Sequence, residues 1–229
     1  MHTTSVIHLK RFLLNQDHSE EKPSRIIVEK TKVTLRNQSK ALQASIVAMT
    51  AALYAIFFFL SWTVSLPQFT VLYLPIILLG VFPLWFGWSG LIGSMIGAYI
   101  GGVYIENLPL HLAWVEITTA LIIYGLNWLL ITRKAAEAKT AKSIAIISSV
   151  YAISLFLGTI AILWQFTLVG LFPAEVALAC LLPTYALNLP IALTACPALI
   201  RAVSPKLKIL GVYTGNFKEW RSNQVRTNN

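Results

Sequence analysis

The chain has 229 residues, of which 56% are hydrophobic and only 12% charged, with a mean hydropathy of +0.68. Soluble domains carry about 25% charged residues, and the uncharged stretches here run in long blocks, where roughly 20 apolar residues suffice to cross a bilayer core of about 30 Å. These values exclude an ordinary soluble domain and predict an all-α, polytopic membrane protein.

Residues 1–40 carry twelve charges and no apolar core stretch, which predicts a polar cytoplasmic segment without a signal peptide. Six hydrophobic segments follow: Ala41–Trp62, Gln68–Phe86, Ser89–Ile105, Leu112–Thr132, Ser143–Gln165 and Pro173–Ile200. The prediction is a six-helix transmembrane domain over 41–200, with a basic cytoplasmic tail over 201–229. Only Gly87 and Trp88 separate the second and third segments, so a tight antiparallel hairpin with Ser89 as N-cap is expected. In the tail, LGVYTGNFKEW interleaves aromatics with charges, a pattern suited to the membrane interface.

All eighteen Lys and Arg residues fall in three places: residues 1–40, the loop from Arg133 to Lys142, and the tail from Arg201 to Arg226. The intervening loops 63–67, 106–111 and 166–172 contain none. With six spans, the basic regions share one side, and the positive-inside rule puts both termini in the cytoplasm. The net charge of +9 thus follows topology and attraction to anionic lipid; no nucleic-acid partner is expected.

The stretch SGLIGSMIGAYIGG places Ser89, Gly93, Gly97 and Gly101 in one row at four-residue spacing, and Gly90, Ser94, Ala98 and Gly102 in the next. Lipid tails are as apolar as leucine, so helices in a bilayer associate by close packing, and small residues let backbones approach. Two adjacent rows predict a helix wedged against two neighbours. The first helix has a second such row, Ala44, Ala48 and Ala52, extended by Ala41 and Ser45, with Ala51 and Ala55 beside it. It suits either packing within the bundle or docking of another protein's helix.

Polar groups inside a membrane domain are costly and mark candidate sites. Glu116 is the only ionisable side chain well inside an expected span, and no outer basic residue exists to pair with it. A carboxylate there is either protonated, wetted at the headgroup level, or paired, with His111 or an amine or heterocycle of a ligand as the candidate partners. At similar depth lie Trp62, Gln68, Tyr73, Asn107, Trp114, Trp164, Gln165 and Glu175, with Tyr185 and Asn188 in the last segment. Trp residues at helix ends are also common interface anchors, and a mid-span amide such as Asn188 or Asn127 either bonds a neighbouring helix or lines a cavity. Pro183, Pro190 and Pro197 recur every seven residues, each freeing a backbone carbonyl. Cys180 and Cys196 read as small buried hydrophobes.

Catalytic patterns are missing: the sequence contains no P-loop, HExxH, GxSxG or CxxC. The four histidines are scattered, three of them in the first 18 residues. The expectation is a protein that is not an enzyme and needs no cofactor or metal.

The alanine-bearing first helix resembles the AxxxA helix of substrate-binding S components of energy-coupling factor (ECF) vitamin transporters. LPIILLGVFPLWFGWSGLIGSMIGAYIGG is similar to that family's second-to-third-helix hairpin, but the sequence departs from the pattern in that the acidic residue frequent after the third helix appears only as Glu106–Asn107. The 40-residue polar head is longer than these proteins carry. The resemblance covers about residues 41–200 and implies a six-helix solute-binding subunit in a prokaryotic cell membrane. Ala44, Ala48 and Ala52 would then face a transmembrane coupling subunit that works with a separate ATPase pair. A vitamin or similar small molecule would be captured on the outer face by Glu116, Trp114, His111, Asn107, Trp62, Gln68, Gln165, Tyr185 and Asn188. The rival readings are a membrane sensor or assembly protein that oligomerises through its small-residue faces, and a stand-alone facilitator.

Overall fold

The computed structural model describes residues 40–64, 72–78, 80–132, 134–171 and 173–228. The polar segment expected over 1–40 lies outside them, apart from Lys40. Seven α-helices are described: α1 (Lys40–Val64), α2 (Val81–Phe86), α3 (Trp88–Ile100), α4 (Trp114–Leu130), α5 (Ala141–Leu168), α6 (Ala174–Ile209) and α7 (Phe217–Asn228). The described residues contain no strand. Five helical stretches are long and apolar enough to cross a membrane: α1, α3 with the π turn Gly101–Ile105, α4 with the turn before it, α5 and α6. The chain is a multi-pass helical membrane protein.

The second expected span, Gln68–Phe86, differs from the other five. Its described part is a 3-10 turn, Leu74–Leu78, followed at Gly80 by the six-residue α2. Pro75 and Pro83 each lack an N–H to donate, which favours short turns over one continuous helix. A Cβ on Gly80 would fall within 1.9 Å of the Tyr151 ring, so only glycine lets this turn rest on α5. Irregular backbone inside a membrane domain needs partners for its polar groups, and three helices supply them. Ser61 of α1 accepts from the Leu74 N–H (2.7 Å), and Asn188 of α6 accepts from the Tyr73 N–H (2.7 Å). Tyr124 of α4 donates to the Pro75 carbonyl at 3.4 Å, and the Cys196 thiol of α6 to that of Ile76 at 3.3 Å.

The break between α2 and α3 falls at Gly87, whose φ of +59° is a left-handed conformation suited to glycine. α3 starts at Trp88, so Ser89 sits inside its first turn instead of capping it. Both small-residue rows of α3 are buried between neighbours. Cβ atoms on Gly93 and Gly97 would lie 2.8 and 2.9 Å from the carbonyl oxygens of Val47 and Ala51 on α1. On the adjacent row, Gly90 abuts the Phe82 carbonyl of α2, and Gly102 abuts Glu116 of α4. Ala98 is fully buried.

α5 begins with a capping box between Thr140 and Ser143, which satisfies N–H groups that a helix start leaves open. α6 has 36 residues with Pro183, Pro190, Pro197 and Pro205 inside. At about 1.5 Å per residue it runs roughly 54 Å, well beyond a hydrocarbon core, and it continues past Ile200 to Ile209.

The segment after α6 folds back onto the bundle. Thr214 and Gly215 donate N–H bonds to the carbonyls of Trp85 and Leu84 at 2.8 and 3.0 Å. Trp128 of α4 donates to the Gly215 carbonyl at 3.0 Å, and Asn216 donates to that of Ile131 at 3.2 Å. Asn216 and Glu219 cap α7 reciprocally. Trp220 packs against Trp88 and Trp128 with ring centroids 6.0 and 5.7 Å away. The half-buried tail aromatics thus pack onto the end of the bundle. Burial and the Glu219 and Glu137 carboxylates push the Tyr213 phenol up, and Lys208 sits 4.8 Å over its ring.

Candidate functional site

At the bundle end opposite the basic loops, α1, α4, α5 and α6 diverge around a cavity of about 380 Å³. Its floor is the pinned 3-10 turn, through Tyr73 and Ile76, and its rim includes Trp62 and Leu171, which are 38% and 40% exposed. Most of the wall is aliphatic and aromatic, interrupted by a few polar groups. This is the usual make-up of a small-molecule site, where apolar area supplies affinity and scattered polar groups set orientation.

Glu116 is the most deeply placed ionisable group of the cavity, 3% exposed. It sits at the first turn of α4, where a carboxylate is favoured by the helix dipole. A Cβ on Gly102 would lie 2.6 Å from its Cγ, so the glycine of α3 makes room for the glutamate stem. No hydrogen-bond or ion-pair partner of Glu116 is found among the described residues. Glu106, just after the π turn of α3, adds a second carboxylate to the same lining. Among the described residues that line the cavity there is no Lys, Arg or His.

The remaining polar groups are mostly committed as donors. Thr119 donates to Gln165 Oε1 at 3.3 Å, and Thr159 to the Leu155 carbonyl at 2.8 Å. The Asn188 amide donates to the Thr184 carbonyl at 2.8 Å while its oxygen holds the Tyr73 N–H. The Tyr73 hydroxyl pairs with that of Tyr54.

Of the residues singled out from the sequence, the structure brings Trp62, Tyr73, Glu116 and Asn188 to the cavity. Gln165 is buried one layer behind, accepting from Thr118 and Thr119. Tyr185 faces α5, 5.4 Å from the Phe156 ring, and donates to the Ala152 carbonyl at 3.4 Å. Trp114, His111 and Asn107 are exposed outside the lining. Asn107 lies in the connection before α4, His111 in the separate 3-10 turn Leu110–Leu112, and Trp114 is the first residue of α4, so equal depth does not bring them to one face. Gln68 lies outside the described residues. Ala44, Ala48 and Ala52 are exposed on α1, whereas Ala51 on the neighbouring row is buried against α3.

Sequence reasoning missed Glu106, Thr119 and Thr159 as lining groups. Glu106 carried a signal, since it is an acidic residue at the end of a small-residue helix on the non-basic side. The threonines carried none, because a hydroxyl that satisfies its own helix reads the same on either face. Asn127, Tyr151 and Ser154 are buried with polar atoms that have no hydrogen-bond partner among the described residues, and none of them lines the cavity. Searches against family models, curated proteins and solved structures find no match to this chain.

Proposed function

We propose that this chain is a membrane-embedded solute-binding subunit of ECF type, with six crossings and both termini cytoplasmic. It captures a small molecule on the outer face and passes it inward together with a coupling subunit and an ATPase pair. The observation that carries this reading is the cavity itself, with Glu116 buried against Gly102 and open to its interior. The distribution of Lys and Arg supports the orientation, since the cavity lies at the end whose loops have none. The exposed row Ala44, Ala48 and Ala52 supports the partner. It is a smooth face that the bundle itself leaves uncovered, as close helix docking in lipid requires.

Two variants test the separate parts. Glu116→Gln is expected to weaken solute binding by about 1–3 kcal/mol, read by native mass spectrometry or thermal shift against a vitamin panel. Unchanged affinity would remove Glu116 from the site. Ala48→Leu is expected to abolish co-purification with a coupling subunit while solute still binds; unaltered assembly would dismiss the docking face.

A further inference from the structure

Resting on the solute-binding reading, we propose that the solute is an organic monocation. Its charged nitrogen sits against Glu116, and its apolar or aromatic part fills the rest of the cavity.

Charge comes first. Glu116 is 3% exposed, lines the cavity and has no partner among the described residues. A buried carboxylate is costly unless a cation, donors or a bound proton neutralise it, and a cationic ligand would supply the first. Glu106 adds a second carboxylate to the same lining, which disfavours an anionic solute. Among the described residues that line the cavity, no Lys, Arg or His meets the Glu116 carboxylate.

Hydrogen bonding points the same way. The protons of Thr119 and Thr159 and the Asn188 amide are directed at protein acceptors. The hydroxyl oxygens therefore remain as acceptors, and such a lining favours a ligand that donates.

The walls argue against a bare metal ion. Among the described residues no group of three or more His, Cys, Asp or Glu can hold one. Divalent ions such as calcium want about six to eight oxygens, whereas Phe58, Ile123, Leu155 and Leu163 supply none. Trp62, Tyr73 and Phe166 add aromatic rings to the lining, groups to which an organic cation is attracted.

The test uses the full chain in lipid nanodiscs, screened by native mass spectrometry against a metabolite library. Each organic cation in the library is matched with a neutral isostere and with anions of the same size. The expected hits are monocations, bound about tenfold tighter than their neutral isosteres. Glu116→Gln should erase most of that preference and Glu106→Gln should reduce it. Glu106→Gln carries the test alone if Glu116→Gln fails to fold by circular dichroism. Neutral or anionic members binding as tightly, a cation preference that survives both substitutions, or an equal response to magnesium or calcium alone would overturn the proposal while leaving a solute-binding subunit in place. If no class binds the folded wild type, the solute-binding reading itself falls, and this inference with it.

Discussion

Gly102 joins the packing of the bundle to the candidate site. Its missing side chain leaves room for the Glu116 stem, so Gly102→Ala is expected to lower both stability and solute affinity. Gly97 shows the purely structural version of the same device. A Cβ there would lie 2.9 Å from the Ala51 carbonyl and 2.5 Å from Tyr54 Cβ, and backbone yields little. Gly97→Ala should cost about 1–3 kcal/mol through overpacking. Gly125 is the control, since its nearest neighbour would be a Leu121 methyl at 3.9 Å. Gly125→Ala should be neutral or stabilise by up to about 1 kcal/mol through helix propensity. Thermal unfolding in detergent separates the three, and comparable losses at Gly97 and Gly125 would refute the account. The four-residue spacing announced a close approach. Which neighbour each row meets was not legible, because spacing describes one helix and contact belongs to two.

At the scale of elements, the unusual piece is the 3-10 turn Leu74–Leu78. It stands where composition predicted part of a span, and hydropathy is blind to the difference because an apolar turn and an apolar helix have the same average. What makes the turn possible lies far away in the chain: Ser61, Tyr124, Asn188 and Cys196, each bonding one of its backbone groups or that of Tyr73. Asn188 was recognisable as a mid-span amide, with helix bonding and cavity lining equally open. It does both, bonding Tyr73 and Thr184 while lining the cavity. Ser61→Ala and Asn188→Ala should each destabilise by about 1–3 kcal/mol, the cost of an unpaired buried N–H. Their effects should not add, because both hold the same segment. A double-mutant cycle on unfolding measures this coupling, and strict additivity would show that the turn does not act as a unit.

Over the whole molecule, the two ends of the bundle differ in kind. One end opens into the acidic, apolar-walled cavity. The other is closed by the returning tail, whose backbone bonds to Leu84, Trp85 and Trp128 and whose Trp220 packs edge-on to Trp88 and tilted against Trp128. Trp128→Phe keeps the ring but leaves the Gly215 carbonyl without its donor. The expected result is faster proteolytic cleavage between residues 210 and 216 with helix content unchanged; an unaltered cleavage rate would show that the bond does not hold the tail.

Membrane residence, helical class and the grouping of the basic residues into three regions of the chain were determined by sequence alone. They depend on the average chemistry of long segments and on the cost of moving charge into hydrocarbon, and neither needs a neighbour. Glu116 was legible for the same reason, as the one ionisable group well inside an apolar block. Tertiary structure decided what needed two or more elements at once. It broke the second segment, turned the tail inward, buried the glycine rows and left the alanine row exposed. It also gathered Glu106, Thr119 and Thr159 beside Glu116 while turning Trp114, His111 and Asn107 away. Similar depth in a bilayer constrains one coordinate of a side chain, and helix rotation, set by packing, supplies the direction it faces.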